Sequence, residues 1–374
     1  MRKTAIIFGS TGTIGTKAVG IAYSNEFEII AISGNKNFKE LVKQAKEYKP
    51  KYVCVADSES FTKVKDALSS NGDIEVLPRN EIANIAKLNV DCCVMAISGS
   101  AALSPTFSCL GHAKRLAIAN KESIILGGKL LMDSAKSKDT EIIPVDSEHN
   151  AIFQCINNEN KDSISEIILT ASGGVFLDLE EKELGKVTVS DALKNPNWVM
   201  GKKVTIDSAT LINKAIEIIE AAYLFDFPIE KITPLIHVDS IIHGLVKFKD
   251  CSLKAVLAYP DMRLPISFAI NYPDRKDCKL PEIDFSKIET LSFRKPKQWQ
   301  KRNLNLAYQA FKEKKVVAFN TANEIAVSKF LKNKIKFNEI YGVVVKILSQ
   351  AEEEQIASLE DITNLIRKYE NLTG

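Results

Sequence analysis

The sequence predicts an α/β protein in which an N-terminal doubly wound parallel sheet is followed by a second, loop-rich region and a helical tail. Three observations carry this expectation. Short β-rich runs alternate with helical stretches over the first 145 residues, a glycine-rich turn follows the first run, and the apolar spacing is helical from Leu304 onward. Residues 4–8 form the first strand, which breaks into Gly9-Ser10-Thr11-Gly12-Thr13-Ile14-Gly15 before a helix that starts near Thr16. Strands follow at 28–33, 52–56, 90–97, 116–119 and 141–145, with a helix at 39–48. The rhythm changes near residue 150: a strand at 166–170 ends at Ala171-Ser172-Gly173-Gly174, and residues 176–203 are loop-rich. Residues 235–272 read as strands broken by turns, and 273–302, punctuated by prolines and charges, read as a linker. In the tail, Thr321-Ala322-Asn323-Glu324 has the spacing of a helix-opening capping box.

Composition narrows the class. With 374 residues, 45% hydrophobic and 26% charged, the chain can bury a sizeable core. Fifty basic against forty-seven acidic residues leave +3, too weak a field for nucleic acid or an anionic membrane, so an anion must be met locally. The basic stretch Arg294, Lys295, Lys297, Lys301 and Arg302 around Trp299 reads as a solvated linker. Seven scattered cysteines without a C-x-x-C pair suit a reducing compartment. The apolar run after Met1-Arg2-Lys3 ends at Phe8, too short for a signal peptide, and no stretch reaches the length of a membrane span. The expectation is a cytoplasmic protein.

Several groups of residues could carry chemistry. Gly9, Gly12 and Gly15 lie between strand and helix, where bare backbone lets a pyrophosphate approach the positive end of the helix dipole; an ordinary tight turn is the plainer alternative. The second strand ends in Ser33-Gly34-Asn35-Lys36-Asn37, without the acidic residue that bonds a free ribose hydroxyl and with a cation suited to a 2′-phosphate, which favours NADP over NAD. Asp146 and Glu148 follow a strand, and if the chain stays extended they project to one side, suiting a hard divalent cation; a solvated acidic turn is equally open. His149 beside them is a further candidate ligand, whereas His112 and His237 are read as structural.

Asp207 or Ser208 is expected to cap a single helix whose narrow polar stripe, Asn213, Lys214 and Glu217, faces an internal site. Glu217 could then add a third carboxylate to the cation, while Ser208, Asn213 and Lys214 hold a phosphate. Ser172-Gly173-Gly174 offers a second anion cradle, and Trp198 is either a lid residue or a core filler.

Together these pieces resemble the 1-deoxy-D-xylulose 5-phosphate reductoisomerase family over essentially the whole chain. The motifs are the glycine turn, Ala119-Asn120-Lys121-Glu122, Val145-Asp146-Ser147-Glu148-His149, Ala171-Ser172-Gly173-Gly174, Pro196-Asn197-Trp198 with Met200-Gly201, Asp207-Ser208-Ala209-Thr210, Asn213-Lys214 with Glu217, Pro260-Asp261-Met262-Arg263 and Asn320-Thr321-Ala322-Asn323-Glu324. The resemblance implies metal-dependent isomerisation and NADPH-dependent reduction of 1-deoxy-D-xylulose 5-phosphate to 2-C-methyl-D-erythritol 4-phosphate, a step of non-mevalonate isoprenoid synthesis. It implies an NADPH-binding domain over 1–145, a central α+β catalytic and dimerisation domain over 146–275, a linker over 276–302 and a helical bundle over 303–374, in a homodimer.

Carried over, Asp146, Glu148 and Glu217 resemble the ligands of Mg²⁺, Mn²⁺ or Co²⁺, with Lys121, Glu148 and Glu217 as the catalytic set. Ser172, Ser208, Asn213 and Lys214 resemble the phosphate pocket, and Lys121, Ser147 and Glu148 the contacts to substrate hydroxyls. Asn195, Trp198, Ser240 and His243 complete the substrate set. Thr11, Gly12, Thr13, Ile14, Gly34, Asn35, Lys36, Asn37, Asn120, Glu122, Gly201 and Met262 would meet NADPH. Two other readings compete: a semialdehyde-type dehydrogenase, for which Cys155 is the only nearby nucleophile, and a non-catalytic sensor of NADPH or phosphosugar.

The chain departs from the family pattern at three places. Asn195 stands where the family has His, Val238-Asp239 before Ser240 where it usually has Pro-Gln, and Ala215 where Gly is usual. Asn donates a hydrogen bond but cannot titrate. Asn195→His is therefore expected to raise kcat/KM in steady-state turnover; an unchanged value would show that the position is compensated.

Overall fold

The computed structural model describes residues 2–70, 72–194 and 201–372. Its strands are β1 (Thr4–Phe8), β2 (Glu28–Gly34), β3 (Tyr52–Val55), β4 (Glu75–Pro78), β5 (Val90–Met95), β6 (Ala113–Ile118), β7 (Glu141–Pro144), β8 (Ile164–Ala171), β9 (Ile232–His237), β10 (Ile242–Phe248), β11 (Leu253–Leu257) and β12 (Phe293–Arg294). Its helices are α1 (Thr13–Ser24), α2 (Phe38–Tyr48), α3 (Ser58–Leu68), α4 (Ile82–Ile85), α5 (Leu103–Cys109), α6 (Lys121–Ser137), α7 (Ser147–Ile156), α8 (Val189–Ala192), α9 (Lys202–Thr210), α10 (Ile212–Leu224), α11 (Arg263–Asn271), α12 (Gln298–Lys312), α13 (Val316–Leu331), α14 (Ile340–Gln350) and α15 (Leu359–Asn371). The chain forms two compact units, one of residues 1–123, 131–150 and 261–280, the other of 124–130, 151–260 and 281–374.

In the first unit seven strands lie in the order β4-β3-β2-β1-β5-β6-β7, and every pairing is parallel. The chain winds outward from β1 to β4, then returns to lay β5 on the free side of β1, so the order of strand addition reverses between β1 and β5. That reversal leaves a crevice at the carboxyl ends of the strands. Ala5, Ile6, Ile7 and Phe8 are all buried, as expected of a parallel strand covered on both faces.

Two glycines make the turn after β1 possible. A Cβ on Gly15 would lie 2.1 Å from the Gly9 carbonyl oxygen, and Gly9 itself sits at φ +74° against the Ala96 carbonyl. Although distant in sequence, α11 joins this unit by packing on α1, and the Arg115 guanidinium donates to Ile270 O at 3.0 Å while lying over the Tyr272 ring.

The second unit is built on a five-stranded sheet in the order β11-β10-β8-β9-β12, where β8 and β9 are parallel and the other neighbours antiparallel. Helix α10 is buried along nearly its whole length and packs on α12; α13 packs on α14 and α15. A distant carboxylate meets the start of α13: Glu354 accepts from the amides of Val317 at 2.9 Å and Ala318 at 2.7 Å. Burial raises the Glu354 pKa, opposed by those two amide bonds.

Several expectations need correction. Neither β4 nor α3 was expected; β4 is a short strand at the sheet edge ending in proline, which carries little pattern. Residues 207–224 are two helices rather than one: Asp207 and Ser208 lie in the last turn of α9, and Leu211, at φ 60°, separates it from α10. The chain is not extended across 146–148, because α7 begins at Ser147. Thr321 to Glu324 lie inside α13 and open no helix.

The stretch read as a linker contains β12 and the start of α12, and three of its cations are paired. Arg294 meets Asp178 at 2.8 Å, Lys297 meets Glu180 at 2.7 Å and Arg302 meets Glu181 at 2.8 Å. Trp299 is buried, its indole donating to Leu179 O at 3.2 Å. Among the described residues no helix is long and apolar enough to cross a membrane.

The glycine turn gives a direct test. Gly15→Ala is expected to cost about 1–3 kcal/mol of unfolding free energy through overpacking. Gly20→Ala, in the same helix with no atom within 4 Å of the new methyl, is expected to stabilise by roughly 0.5–1 kcal/mol. Urea midpoints of the two variants compare them, and equal effects would contradict the close approach at Gly15.

Candidate active site

The crevice of the first unit is assembled from loops that leave adjacent strands in the same direction. After β1, Gly12 stands at the N-terminus of α1 with no side-chain cap, so the first amides of the helix remain available to an anion. The turn is fixed from below: Ser10 N donates to Ser33 O at 2.8 Å, Gly9 N to Ser33 Oγ at 2.9 Å, and Gln44 Nε2 to Ser10 O at 3.0 Å. After β2, Gly34 lies so close to Thr11 that a Cβ there would meet the Thr11 methyl at 3.2 Å. Asn37 then caps α2, accepting from Glu40 N at 3.3 Å, and this leaves Asn35 and Lys36 in the turn between strand and helix.

After β6, Asn120 caps α6 by accepting from Ser123 N at 2.6 Å. Its amide nitrogen reaches Ile97 O at 2.8 Å, Gly99 O at 3.1 Å and Glu122 Oε2 at 3.0 Å, tying the β5 and β6 loops together. The segment with Met262 belongs to this unit as well, and Asp261 faces Lys17 of α1 at 4.0 Å.

After β7, Asp146 accepts from the amides of Glu148 at 3.1 Å and His149 at 3.2 Å, as a capping carboxylate does at a helix start. Its other oxygen takes the Lys121 ammonium at 2.5 Å, and His149 Nδ1 lies 2.7 Å from Oδ1. Ser147 Oγ donates to Glu148 Oε2 at 2.5 Å. A charged side chain and two carboxylates are thereby held at one strand end, in partly buried surroundings where electrostatic interactions are stronger than in water.

The second unit holds the other expected residues. In α10 the polar stripe is buried: Lys214 is 2% and Glu217 1% exposed. Lys214 pairs with one Glu217 oxygen and Asn213 donates to the other, so the three share a face as the sequence spacing predicts. Gly174, at φ +72°, brings the Ser172 loop against α9, since a Cβ there would fall 2.5 Å from Ser208 O. Ser172 follows β8, Ser240 lies in the β9–β10 connection and His243 near the start of β10. Because β8 runs parallel to β9 and antiparallel to β10, all three collect at the same end of the three inner strands.

His243 Nε2 is 3.2 Å from Ala258 O. His237 is structural, as the sequence suggested: Nδ1 is 2.9 Å from Ser292 O while Nε2 accepts from Ile241 N at 3.2 Å. Gly201 opens α9 without a side-chain cap. Asn195 and Trp198 lie outside the described residues.

Sequence reasoning missed the anchoring role of Ser33, whose hydroxyl and carbonyl hold the glycine turn, and the buried carboxamides Gln300 and Asn303, and it placed Asn323 only in a capping box. The spacing of Gln300 and Asn303 on one helix face was the available signal. Cys155 is no activated nucleophile: burial pushes its thiol up to about 11, the opposite of what a reactive cysteine needs.

A doubly wound sheet with a glycine turn at its reversal point, and a lysine-paired acidic group at the end of its last strand, defines a protein of the dinucleotide-fold class with an acid-bearing crevice. Comparison with known proteins agrees over the full chain. Family models described as 1-deoxy-D-xylulose 5-phosphate reductoisomerase match residues 5–128, and its C-terminal domains match 142–225 and 257–371. The reductoisomerase of Caldanaerobacter subterraneus subsp. tengcongensis is 44% identical over 98% of this chain and 99% of its own; that of Clostridium botulinum (strain Loch Maree / Type A3) is 39% identical over 100% and 98%. The solved Zymomonas mobilis enzyme in complex with NADPH superposes with TM-score 0.93 at 35% identity, covering 99% of this chain and 97% of that one. A structure of the enzyme with NADPH, fosmidomycin and magnesium gives 0.92 at 34%, covering 100% and 97%. The chain belongs to the 1-deoxy-D-xylulose 5-phosphate reductoisomerase family.

The thiol chemistry separates this site from a cysteine-dependent one. In the native protein at neutral pH, exposed Cys251 is expected to react with maleimide while buried Cys155 stays unmodified, read by mass spectrometry of tryptic peptides. Rapid labelling of Cys155 would reopen the dehydrogenase reading.

Proposed function

We propose that the chain converts 1-deoxy-D-xylulose 5-phosphate to 2-C-methyl-D-erythritol 4-phosphate, using NADPH and a divalent cation. The observation that carries the reading is the shared edge of the parallel sheet. Thr11, Gly34, Asn120, Lys121, Asp146 and Glu148 all leave the carboxyl ends of β1, β2, β6 and β7, so a dinucleotide cradle and an acidic group open on one crevice. Relatives of this family have been solved with NADPH and with magnesium, which supports the same two cofactors here.

The residues fit both groups. The turn has no room for a side chain at Gly9 or Gly15 and leaves the first α1 amides without a side-chain cap, open to a pyrophosphate, with Lys36 in the turn after β2 favouring a 2′-phosphate. Thr11, Gly12, Thr13, Ile14, Gly34, Asn35, Lys36, Asn37, Asn120, Glu122, Gly201 and Met262 are the proposed NADPH contacts. Asp146, Glu148 and Glu217 offer carboxylate oxygens only, a donor set for a hard divalent cation. When bound, such a cation supplies a Lewis acid for the ketone and hydroxyl oxygens of the substrate.

The chain's own residues do the rest. Lys121, oriented by Asp146, and Ser147, oriented by Glu148, present donors to the substrate hydroxyls. Ser172, Ser208, Asn213 and Lys214 grip the phosphate, so that binding energy far from the reacting carbons orients them. Asn195, Trp198, Ser240 and His243 complete the substrate set, with Trp198 as part of a lid that excludes water. We extend the proposal to a homodimer in the cytoplasm serving non-mevalonate isoprenoid synthesis, a reading supported by the family resemblance.

The decisive assay follows NADPH absorbance with 1-deoxy-D-xylulose 5-phosphate and Mg²⁺, Mn²⁺ or Co²⁺. Turnover is expected to stop with chelator and return with added metal, and Glu217→Gln is expected to lower kcat/KM by at least roughly 10- to 100-fold. Metal-independent oxidation of NADPH, or a fully active Glu217→Gln variant, would overturn the reading.

A further inference from the structure

The C-terminal helices carry three buried carboxamides to which the proposed reaction gives no role. Gln300 and Asn303 on α12 and Asn323 on α13 are 0%, 5% and 0% exposed. Each donates a hydrogen bond to a segment that bears a proposed phosphate contact. Gln300 Nε2 reaches Gly173 O at 3.3 Å, the residue after Ser172. Asn303 Nδ2 reaches Thr210 O at 2.8 Å, at the break between α9 and α10. Asn323 Nδ2 reaches Asp207 Oδ1 at 2.8 Å, the residue before Ser208, while Lys203 holds the other Asp207 oxygen at 3.0 Å.

The recipients are connected with one another. Gly174 lies against the Ser208 carbonyl, and Thr210 Oγ1 bonds Asp207 O at 3.1 Å and Ile212 N at 3.3 Å across the helix break. A shift in any of the three donors therefore moves Ser172, Ser208 or the first turn of α10, which carries Asn213 and Lys214.

Gln300 also caps α12, its Oε1 accepting from Lys297 N at 2.9 Å, but packing does not account for the two asparagines. Asn303 Oδ1 and Asn323 Oδ1 are buried without a hydrogen-bond partner, and a half-satisfied amide is a poorer core residue than a leucine of similar volume. The helix break they support is also costly by itself, because Leu211 holds a left-handed conformation that disfavours side chains.

We propose that Gln300, Asn303 and Asn323 are positioning residues for the substrate phosphate: they fix the spacing between the Ser172 loop and the α9–α10 break before the ligand arrives. The inference rests on the phosphate reading of Ser172, Ser208, Asn213 and Lys214. Preorganisation of this kind strengthens ground state and transition state alike, so its loss appears in KM more than in kcat.

Asn303→Leu and Asn323→Leu test it, because each removes both the donated bond and the unpartnered oxygen. Either variant is expected to raise KM for 1-deoxy-D-xylulose 5-phosphate about tenfold and keep kcat within about threefold. KM for NADPH is expected to stay unchanged, Tm to fall by only a few degrees because each substitution leaves one buried acceptor, Thr210 O or Asp207 Oδ1, without its donor, and competitive inhibition by inorganic phosphate to weaken in parallel. Asn323→Asp sets two carboxylates together and is expected to do worse. Pairing it with Asp207→Asn exchanges donor and acceptor and is expected to recover substrate KM.

Wild-type substrate KM in both leucine variants, while Ser208→Ala raises it, would overturn the positioning role and leave the phosphate pocket standing. Unchanged KM in both Ser208→Ala and Lys214→Ala would instead overturn the pocket. A joint fall of kcat, both affinities and Tm, with no recovery in the exchange variant, would reduce the three carboxamides to general scaffolding and overturn the inference.

Discussion

The contact on which the first unit depends is the approach of Gly15 to the carbonyl of Gly9. At 2.1 Å there is no place for even a methyl group, so the first turn of α1 can fold back over the end of β1 only while both positions stay bare. This closeness leaves the helix amides facing outward at the reversal point of the sheet. The hydroxyl and carbonyl of Ser33 hold the turn from the neighbouring strand. The cofactor reading of this chain is therefore first a statement about excluded volume and only second about hydrogen bonds.

The acidic group depends on a different constraint. Asp146 has several donors around it: the Lys121 ammonium, two helix amides and a ring nitrogen of His149. A carboxylate so surrounded is held in one orientation by its neighbours, and the same amides that cap α7 fix Glu148 one step along the helix. The end of β7 is thus a prepared acidic corner whose shape does not rely on burial of an uncompensated charge.

Much of this was legible in the sequence, and the failures share a cause. Parallel strands announced themselves because β-rich runs ended in glycines or capping residues, and the grouping of Asn213, Lys214 and Glu217 followed from helical spacing alone. The break at Leu211 carried no such mark, because a left-handed position is ordinarily signalled by glycine or asparagine. The start of α13 was misplaced for a related reason. Its amides are met by Glu354, a side chain distant along the chain, while the local motif that looked like a cap lies inside the helix. The proline-punctuated stretch read as a linker because its partners, Asp178, Glu180 and Glu181, lie far back in the sequence. Local chemistry was readable; pairing across distance was not.

The return of α11 to the first unit has a consequence for how the chain must come into being. The face of α1 that α11 covers is synthesised early, and its cover emerges from the ribosome only after β8 to β11 of the second sheet have been made. The growing polypeptide therefore carries an unfinished nucleotide fold through most of translation. Severing the gene into separately expressed halves near residue 150 would strand that apolar surface without its lid of helix.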